Sequence, residues 1–204
     1  MKALALRPLR DQVLIVLELN TGFRIAELLS LNLDQVWGNS AIRASIRVAR
    51  AKMKGGRSRR RRSVIGRVVP VNAAVAAILK KYLATRYPDR PVPSHVPLFT
   101  SRLHRSRLSR WSANRIVHQV LRAAGFDDQD GYGTHSLRKR FANKIYQETS
   151  FDLNLTRAIM GHSDIRTTIA YLSIDADAMA SAVMRIGERP MLGDGPDEAD
   201  SSAA

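Results

Sequence analysis

One part of this chain carries a period of two. In AIRASIRV, residues 41–48, the apolar Ile42, Ala44, Ile46 and Val48 alternate with Arg43, Ser45 and Arg47, as in a half-buried strand. VIGRVVPV, residues 64–71, reads as its partner. Between them lies ARAKMKGGRSRRRRS, a glycine-bearing basic connector, so the pair is expected to form a β-hairpin with a charged tip. Two strands cannot bury their own apolar face, and the rest of the chain is written in helical spacing. The expected fold class is therefore α+β: a mainly helical single domain with a small antiparallel β-hairpin or sheet.

The helical segments have legible ends. From Pro8, LRDQVLIVLELN reads as a mostly buried helix broken at Thr21-Gly22, and RIAELLSL follows as a short second one. Asn72 is placed to cap AAVAAILKKYLATRY, which Pro88 ends, and the proline-rich DRPVPSHVP is a surface loop. A further helix runs from Ser112 to Ala124 and stops at Gly125. Thr134 precedes HSLRKRFANKIY, where Leu137, Phe141 and Ile145 share helical spacing. DLNLTRAIM is closed by Gly161, and Ser163 is expected to cap DIRTTIAYL. DADAMASAVMRI, residues 175–186, is the last predicted helix. The remainder, 187–204, is acidic and poor in large apolar groups, which predicts a disordered tail behind a domain spanning 1–186.

Charge narrows the choice of partner. The 33 Lys and Arg outnumber 18 Asp and Glu, for a net charge of +15. The tail alone holds a net of −4, which leaves +19 on residues 1–186. Solubility requires neither that sign nor that size, so a polyanion is expected, with nucleic acid the default. Cysteine is absent, which excludes disulfides, thiolate nucleophiles and cysteine-ligated metals. His95, His104 and His118 lie scattered without metal-ligand spacing and read as solvated. Trp37 and Trp111 read as core or rim packing, since no aromatic ladder accompanies them. No window approaches the apolar length that spans a bilayer, and Arg7 and Arg10 interrupt the N-terminus before a signal-peptide core can form. No membrane partner and a cytoplasmic, nucleoid-associated location are expected.

Several residues have the chemistry to act on a phosphate. His135 and Arg138, at i and i+3 on one helix, project from the same face and can both donate to one anion. Alone, HxxR reads equally as a helix start with a solvated Arg. Arg24 follows a glycine turn at a helix start, where the helix N-terminus also favours anions. Glu27, three residues on, reads either as its salt-bridge partner or as the group that orients it.

The ordered set says more than its parts: TGFRIAE with Arg24 and Glu27, a basic hairpin with Lys54, HSLR at 135–138, MGH ending at His162, and TTIAY ending at Tyr171. This order resembles the tyrosine recombinase (phage-type integrase) family over roughly residues 8–186. The resemblance implies cutting and rejoining of DNA at specific sites through a covalent 3′-phosphotyrosine link. It makes Tyr171 the nucleophile, with Arg24, His135, Arg138 and His162 around the scissile phosphate and Lys54 as proton donor to the leaving 5′-oxygen. The physics is consistent with each role. Attack builds negative charge on the non-bridging oxygens, which planar guanidiniums clamp well. Phenols keep their proton at neutral pH, so base help is needed, for which His135 is the nearest candidate, while His162 is expected to donate to the phosphate. Because the covalent link conserves the phosphodiester bond, neither ATP, metal nor other cofactor is expected.

The chain also departs from the family's pattern. Lys52 and Lys54 both fit the lysine position, and Lys54 in MKGGR fits it better. The connector is longer and richer in arginine than the usual turn, which suggests added phosphate contacts from Lys52, Arg57, Arg59, Arg60, Arg61 and Arg62. Family members commonly carry a separate N-terminal DNA-gripping domain, whereas seven residues precede Pro8. The chain is thus read either as a fragment or as a minimal recombinase, as short as the fimbrial phase-variation enzymes, with weaker and less selective binding. The family implies double-stranded DNA as partner, four protomers acting on two sites, and room for accessory DNA-bending proteins. The helix over 175–186 reads either as packing on its own core or as docking onto a neighbour. A type IB topoisomerase or telomere resolvase matches the short chain less well, and a non-catalytic DNA-binding protein of the same fold is the alternative from another class.

Overall fold

The computed structural model describes residues 2–49, 66–101, 106–126, 131–172, 180 and 183–185. The chain divides into two units, Met1–Leu172 and Ser173–Ala204. Of the second, the described residues 180 and 183–185 are helical, and the predicted disordered tail lies outside the described residues.

In the first unit a short α1 (Lys2–Ala5) leads into α2 (Leu9–Thr21), whose Val13, Leu14 and Leu17 are fully buried. The left-handed φ of 55° at Gly22 ends α2 where the sequence breaks, and α3 (Ile25–Ser30) follows at once. β1 (Trp37–Gly38) pairs antiparallel with β2 (Ala41–Ile42), and β3 (Ser45–Val48) pairs antiparallel with β4 (Arg67–Pro70). α4 (Ala73–Arg86) is capped by Asn72, whose side chain accepts from Val75 N at 3.0 Å, as predicted. Then come α5 (Arg110–Ala123), α6 (Thr134–Glu148), α7 (Leu153–Met160) and α8 (Ile165–Ile169). α2 is the central element and packs against both α4 and α6. One large cluster joins Leu14 and Leu17 to Phe23, Ile46, Val48, Leu79 and Phe99, and a smaller one holds Phe141, Ala142 and Met160 beneath the α6–α8 side.

Four expectations need correction. The alternation over 41–48 makes two strands, not one. Asn39 and Ser40 turn the chain with positive φ, and Arg43 N donates to Val36 O at 2.9 Å, so the first hairpin closes on β1 before the chain passes to β4. Ala44, expected to point inward, is exposed at the junction. α8 is capped by Asp164 rather than Ser163, its carboxylate accepting from Arg166 N at 2.9 Å. Trp37 packs against the core, but Trp111 is 70% exposed, with the Arg115 guanidinium 4.8 Å from its ring centroid. Ser109, ahead of the predicted start, caps α5 by accepting from Ser112 N at 3.1 Å.

Candidate active site

Two glycine-capped helix ends shape this side of the molecule. α2 stops at Gly22 and α7 at Gly161, both at left-handed φ, 55° and 65°, which glycine enters without steric cost. Unpaired carbonyls and the negative ends of the helix dipoles favour cations there. Arg138 of α6 bridges the two ends: Nη1 donates to Gly22 O, and Nη2 donates to Met160 O at 2.8 Å. Arg67 of β4 donates to Thr21 O at 2.6 Å and to Gly22 O at 3.1 Å. Both guanidiniums are buried. Burial, then the charge of Arg138, lowers the Arg67 pKa to about 9; burial, then the charge of Arg24, lowers that of Arg138 to about 10. Each stays charged at neutral pH. The Nε of Arg138 has no hydrogen-bond partner among the described residues.

Arg24 is the N-cap of α3. Its Nη1 donates to Glu27 Oε1 and its backbone N to Glu27 Oε2, each at 2.9 Å, so the buried carboxylate grips both ends of the residue. Arg67 lies 3.9 Å from the same carboxylate. Glu27 thereby fixes one guanidinium and balances a second, while Arg24 keeps a quarter of its side chain exposed to the cleft.

His162 is buried next to Arg138, its Nε2 2.9 Å from Arg138 Nη2 and its Nδ1 2.9 Å from Thr168 Oγ1. A guanidinium only donates, so Nε2 accepts and the ring proton is on Nδ1, given to Thr168. Burial, then the charges of Arg138 and Arg24, hold the His162 pKa down to about 3, so the ring is neutral. Both nitrogens are committed to protein groups, and no N–H remains for the phosphate contact expected of His162.

Tyr171 follows α8, its backbone N donating to Thr168 O at 2.9 Å and its carbonyl accepting from Asn143 Nδ2 at 3.2 Å. The half-buried ring packs on the Phe141, Ala142 and Met160 cluster, 5.6 Å from the Arg138 guanidinium carbon and 5.3 Å from the His162 ring. Its hydroxyl lies 3.3 Å from Nδ1 of the exposed His135. The aromatic thus fills a core edge on one side and offers its oxygen on the other. Arg24, Glu27, His135, Arg138 and Tyr171 all line one cleft of about 480 Å³, with Arg110, Thr134, Thr167 and Glu18 completing its wall.

Among the residues singled out from sequence, these five and His162 meet here. Lys52, Lys54, Arg57, Arg59, Arg60, Arg61 and Arg62 lie outside the described residues. Sequence reasoning missed Arg67, Thr168 and Glu18. The inward position of Arg67 was readable, two residues from Val69 on the same strand face, and Glu18 interrupts an apolar helix face four residues after Leu14. Thr168 gave no signal, because its partner comes from a different element. Among the described residues no group of three or more His, Asp or Glu is placed to hold a metal, and no helix is long and apolar enough to cross a membrane.

The described fold, small two-stranded sheets and helices that bring Arg24, Arg138, His135 and the Tyr171 phenol to one cleft with Arg67 and His162 packed behind it, defines an α+β class of protein with a cation-rich site beside a hydroxyl. The chain belongs to the phage integrase family, whose model matches residues 1–177. It is 31% identical over 173 residues to tyrosine recombinase XerC of Pseudomonas fluorescens, covering 84% of this chain and 51% of that protein. Over 176 residues it is 27% identical to XerC of Caldanaerobacter subterraneus subsp. tengcongensis, covering 85% and 44%. The chain thus spans about half the length of the curated relatives it matches. The fold is similar to that of the XerH site-specific recombinase in a post-cleavage complex with difH substrate, with TM-score 0.68, 23% identity and coverage of 92% of this chain and 50% of that one. For the crystal structure of XerA recombinase the values are 0.66, 23%, 94% and 62%. The tyrosine recombinase catalytic fold expected from the ordered motifs is the one found.

Proposed function

We propose that this chain is the strand-cleaving and rejoining domain of a site-specific DNA recombinase. The observation that carries the reading is the Tyr171 hydroxyl, 3.3 Å from His135 Nδ1 on a cleft shared with Arg24 and Arg138. In the cleavage step the Tyr171 oxygen bonds to phosphorus while its proton passes to His135, and the bond to the deoxyribose 5′-oxygen breaks. That oxygen takes a proton from Lys54, which leaves a 3′-phosphotyrosine and a free 5′-hydroxyl. Arg24 and Arg138 stabilise the charge that builds on the non-bridging oxygens. His162 acts on Arg138: with Thr168 it fixes the guanidinium from behind rather than touching phosphate. Rejoining is the reverse attack by a 5′-hydroxyl, and no bond energy is lost in between. The names of the relatives and the DNA-bound complexes of structural neighbours support this reading.

Around this domain, taken as residues 1–186, Lys52, Arg57, Arg59, Arg60, Arg61 and Arg62 are read as contacts to the phosphates of double-stranded DNA, and four protomers are read as acting on two sites. The test is covalent trapping on nicked duplexes with a randomised core, since the nick releases a short strand and prevents rejoining. An SDS-resistant protein–DNA band is expected from the native chain and none from Tyr171→Phe. A band that survives this substitution, or no band from the native chain across the pool, overturns the reading.

A further inference from the structure

Glu18 stands in the cleft wall without a task in the chemistry above. It lies in the last turn of α2, fully buried, and neither carboxylate oxygen has a hydrogen-bond partner among the described residues. An ionised carboxylate left so is costly, and a neutral acid much less so. Of the charged groups around it, α6 contributes Arg138 and His135, α3 and its cap contribute Glu27 and Arg24, α5 contributes Arg110, and β4 contributes Arg67, with Tyr171 and neutral His162 beyond. From α4 the buried residues that share the core with α2 are Val75, Leu79, Leu83 and Tyr82, whose hydroxyl donates to Leu98 O at 3.1 Å. Four guanidiniums, Arg24, Arg67, Arg110 and Arg138, are therefore set against one committed carboxylate, Glu27, and positive charge is in excess. That excess is what an anion in the cleft would meet.

We propose that Glu18 is a proton-operated counter-charge to Arg138, a positioning residue that leaves the guanidinium's charge to an incoming anion while protonated and cancels it when ionised. This rests on reading the cleft as a phosphodiester site. Burial raises the Glu18 pKa to about 8, and Arg138 opposes the rise, so the two charges are coupled. The coupling is reciprocal: an anion bound at Arg138 makes Glu18 hold its proton more tightly, and ionising Glu18 expels the anion.

Sulfate is the probe, because its charge is constant over the pH range of interest. Its binding to the full chain is followed between pH 6.5 and 9 by the Arg138 Nε resonance. Native affinity should fall about fivefold from pH 8 to 9, whereas Glu18→Gln, held neutral, should stay within about twofold. Identical profiles for the two chains overturn the proposal. In the native chain, the carboxyl carbon of Glu18 should titrate near pH 8 and shift upward in saturating sulfate. A midpoint near the ordinary carboxylate value, or one indifferent to sulfate, overturns it without any variant. If sulfate leaves Arg138 unmoved at every pH while Glu18 still titrates near 8, the phosphate reading of the cleft has failed, and the counter-charge role falls with it.

Discussion

Replacing Gly22 by alanine strikes the fold and the cleft together, and the structure allows its two costs to be separated. At φ 55° an alanine is forced into the left-handed region, which costs ~1–2 kcal/mol. The added Cβ would also lie 2.6 Å from Cε1 of Phe141, and closer still to Cδ1, in a ring that is only 6% exposed. Moving a packed ring costs a further ~1–3 kcal/mol, for a total of about 2–5 kcal/mol. Gly125 supplies the control. Its φ is 89°, but an added Cβ meets nothing within 4 Å, so Gly125→Ala should show only the backbone cost. Urea unfolding of both variants, followed by tryptophan fluorescence, measures the difference. Phe141 is also three residues from Arg138 on α6, so pushing its ring away displaces the guanidinium from Gly22 O, and covalent trapping should drop further than the loss of folded protein explains. Equal destabilisation by the two alanines, or trapping by Gly22→Ala that tracks its folded fraction, refutes this reasoning.

Other expectations follow from single contacts. Thr168→Val keeps the shape but leaves His162 Nδ1–H without its acceptor, which should cost ~1–3 kcal/mol in unfolding and reduce trapping. Asn72→Ala removes the cap of α4 and a bond to the Asn20 amide, neither of them lining the cleft, and should cost ~1 kcal/mol in urea unfolding with trapping per folded molecule unchanged. The pKa of His162 is depressed to about 3 in the folded chain, so the unfolded chain binds more protons below pH 6.5. Its contribution is complete above that pH and is lost as pH falls, by up to ~1.4 kcal/mol per unit. The pKa of Glu18 is raised, so between pH 4.5 and 8 its contribution declines as pH rises, opposing His162 over the shared range. Glu18→Gln should therefore gain stability over the native chain by up to ~1.4 kcal/mol per pH unit across that interval, and parallel stability–pH curves would rule this out.

What the sequence made legible was local. Helix ends at Gly22 and Gly161, the Asn72 cap and the strand face with Ile46 and Val48 depend on neighbours within a turn or two, and each lies where the pattern put it. The strand break near Arg43 did not show, because it comes from a backbone bond to Val36 across a tight turn. Arg24, His135, Arg138, His162 and Tyr171 were found through order and spacing, which reveal membership of a site but not its wiring. Thus His162 bonds Arg138 and Thr168, not open cleft, and Arg67 joins the cluster from the buried face of its strand, where its alternation with Val69 shows the direction but not the carbonyls it meets. Burial of Glu18 without a partner depends on α6 and α3 arriving from elsewhere in the chain.

The two buried guanidiniums are seated largely on peptide oxygens: Thr21 and Gly22 at one helix terminus, Met160 at the other. Every amino acid supplies such an oxygen, so the seat depends on the bend of the main chain and hardly at all on which side chains decorate it. Descendants of this chain can exchange most of α2 and α7 without displacing the cations, provided the two bends persist. A lineage that lost either bend would forfeit the cluster even with both arginines retained.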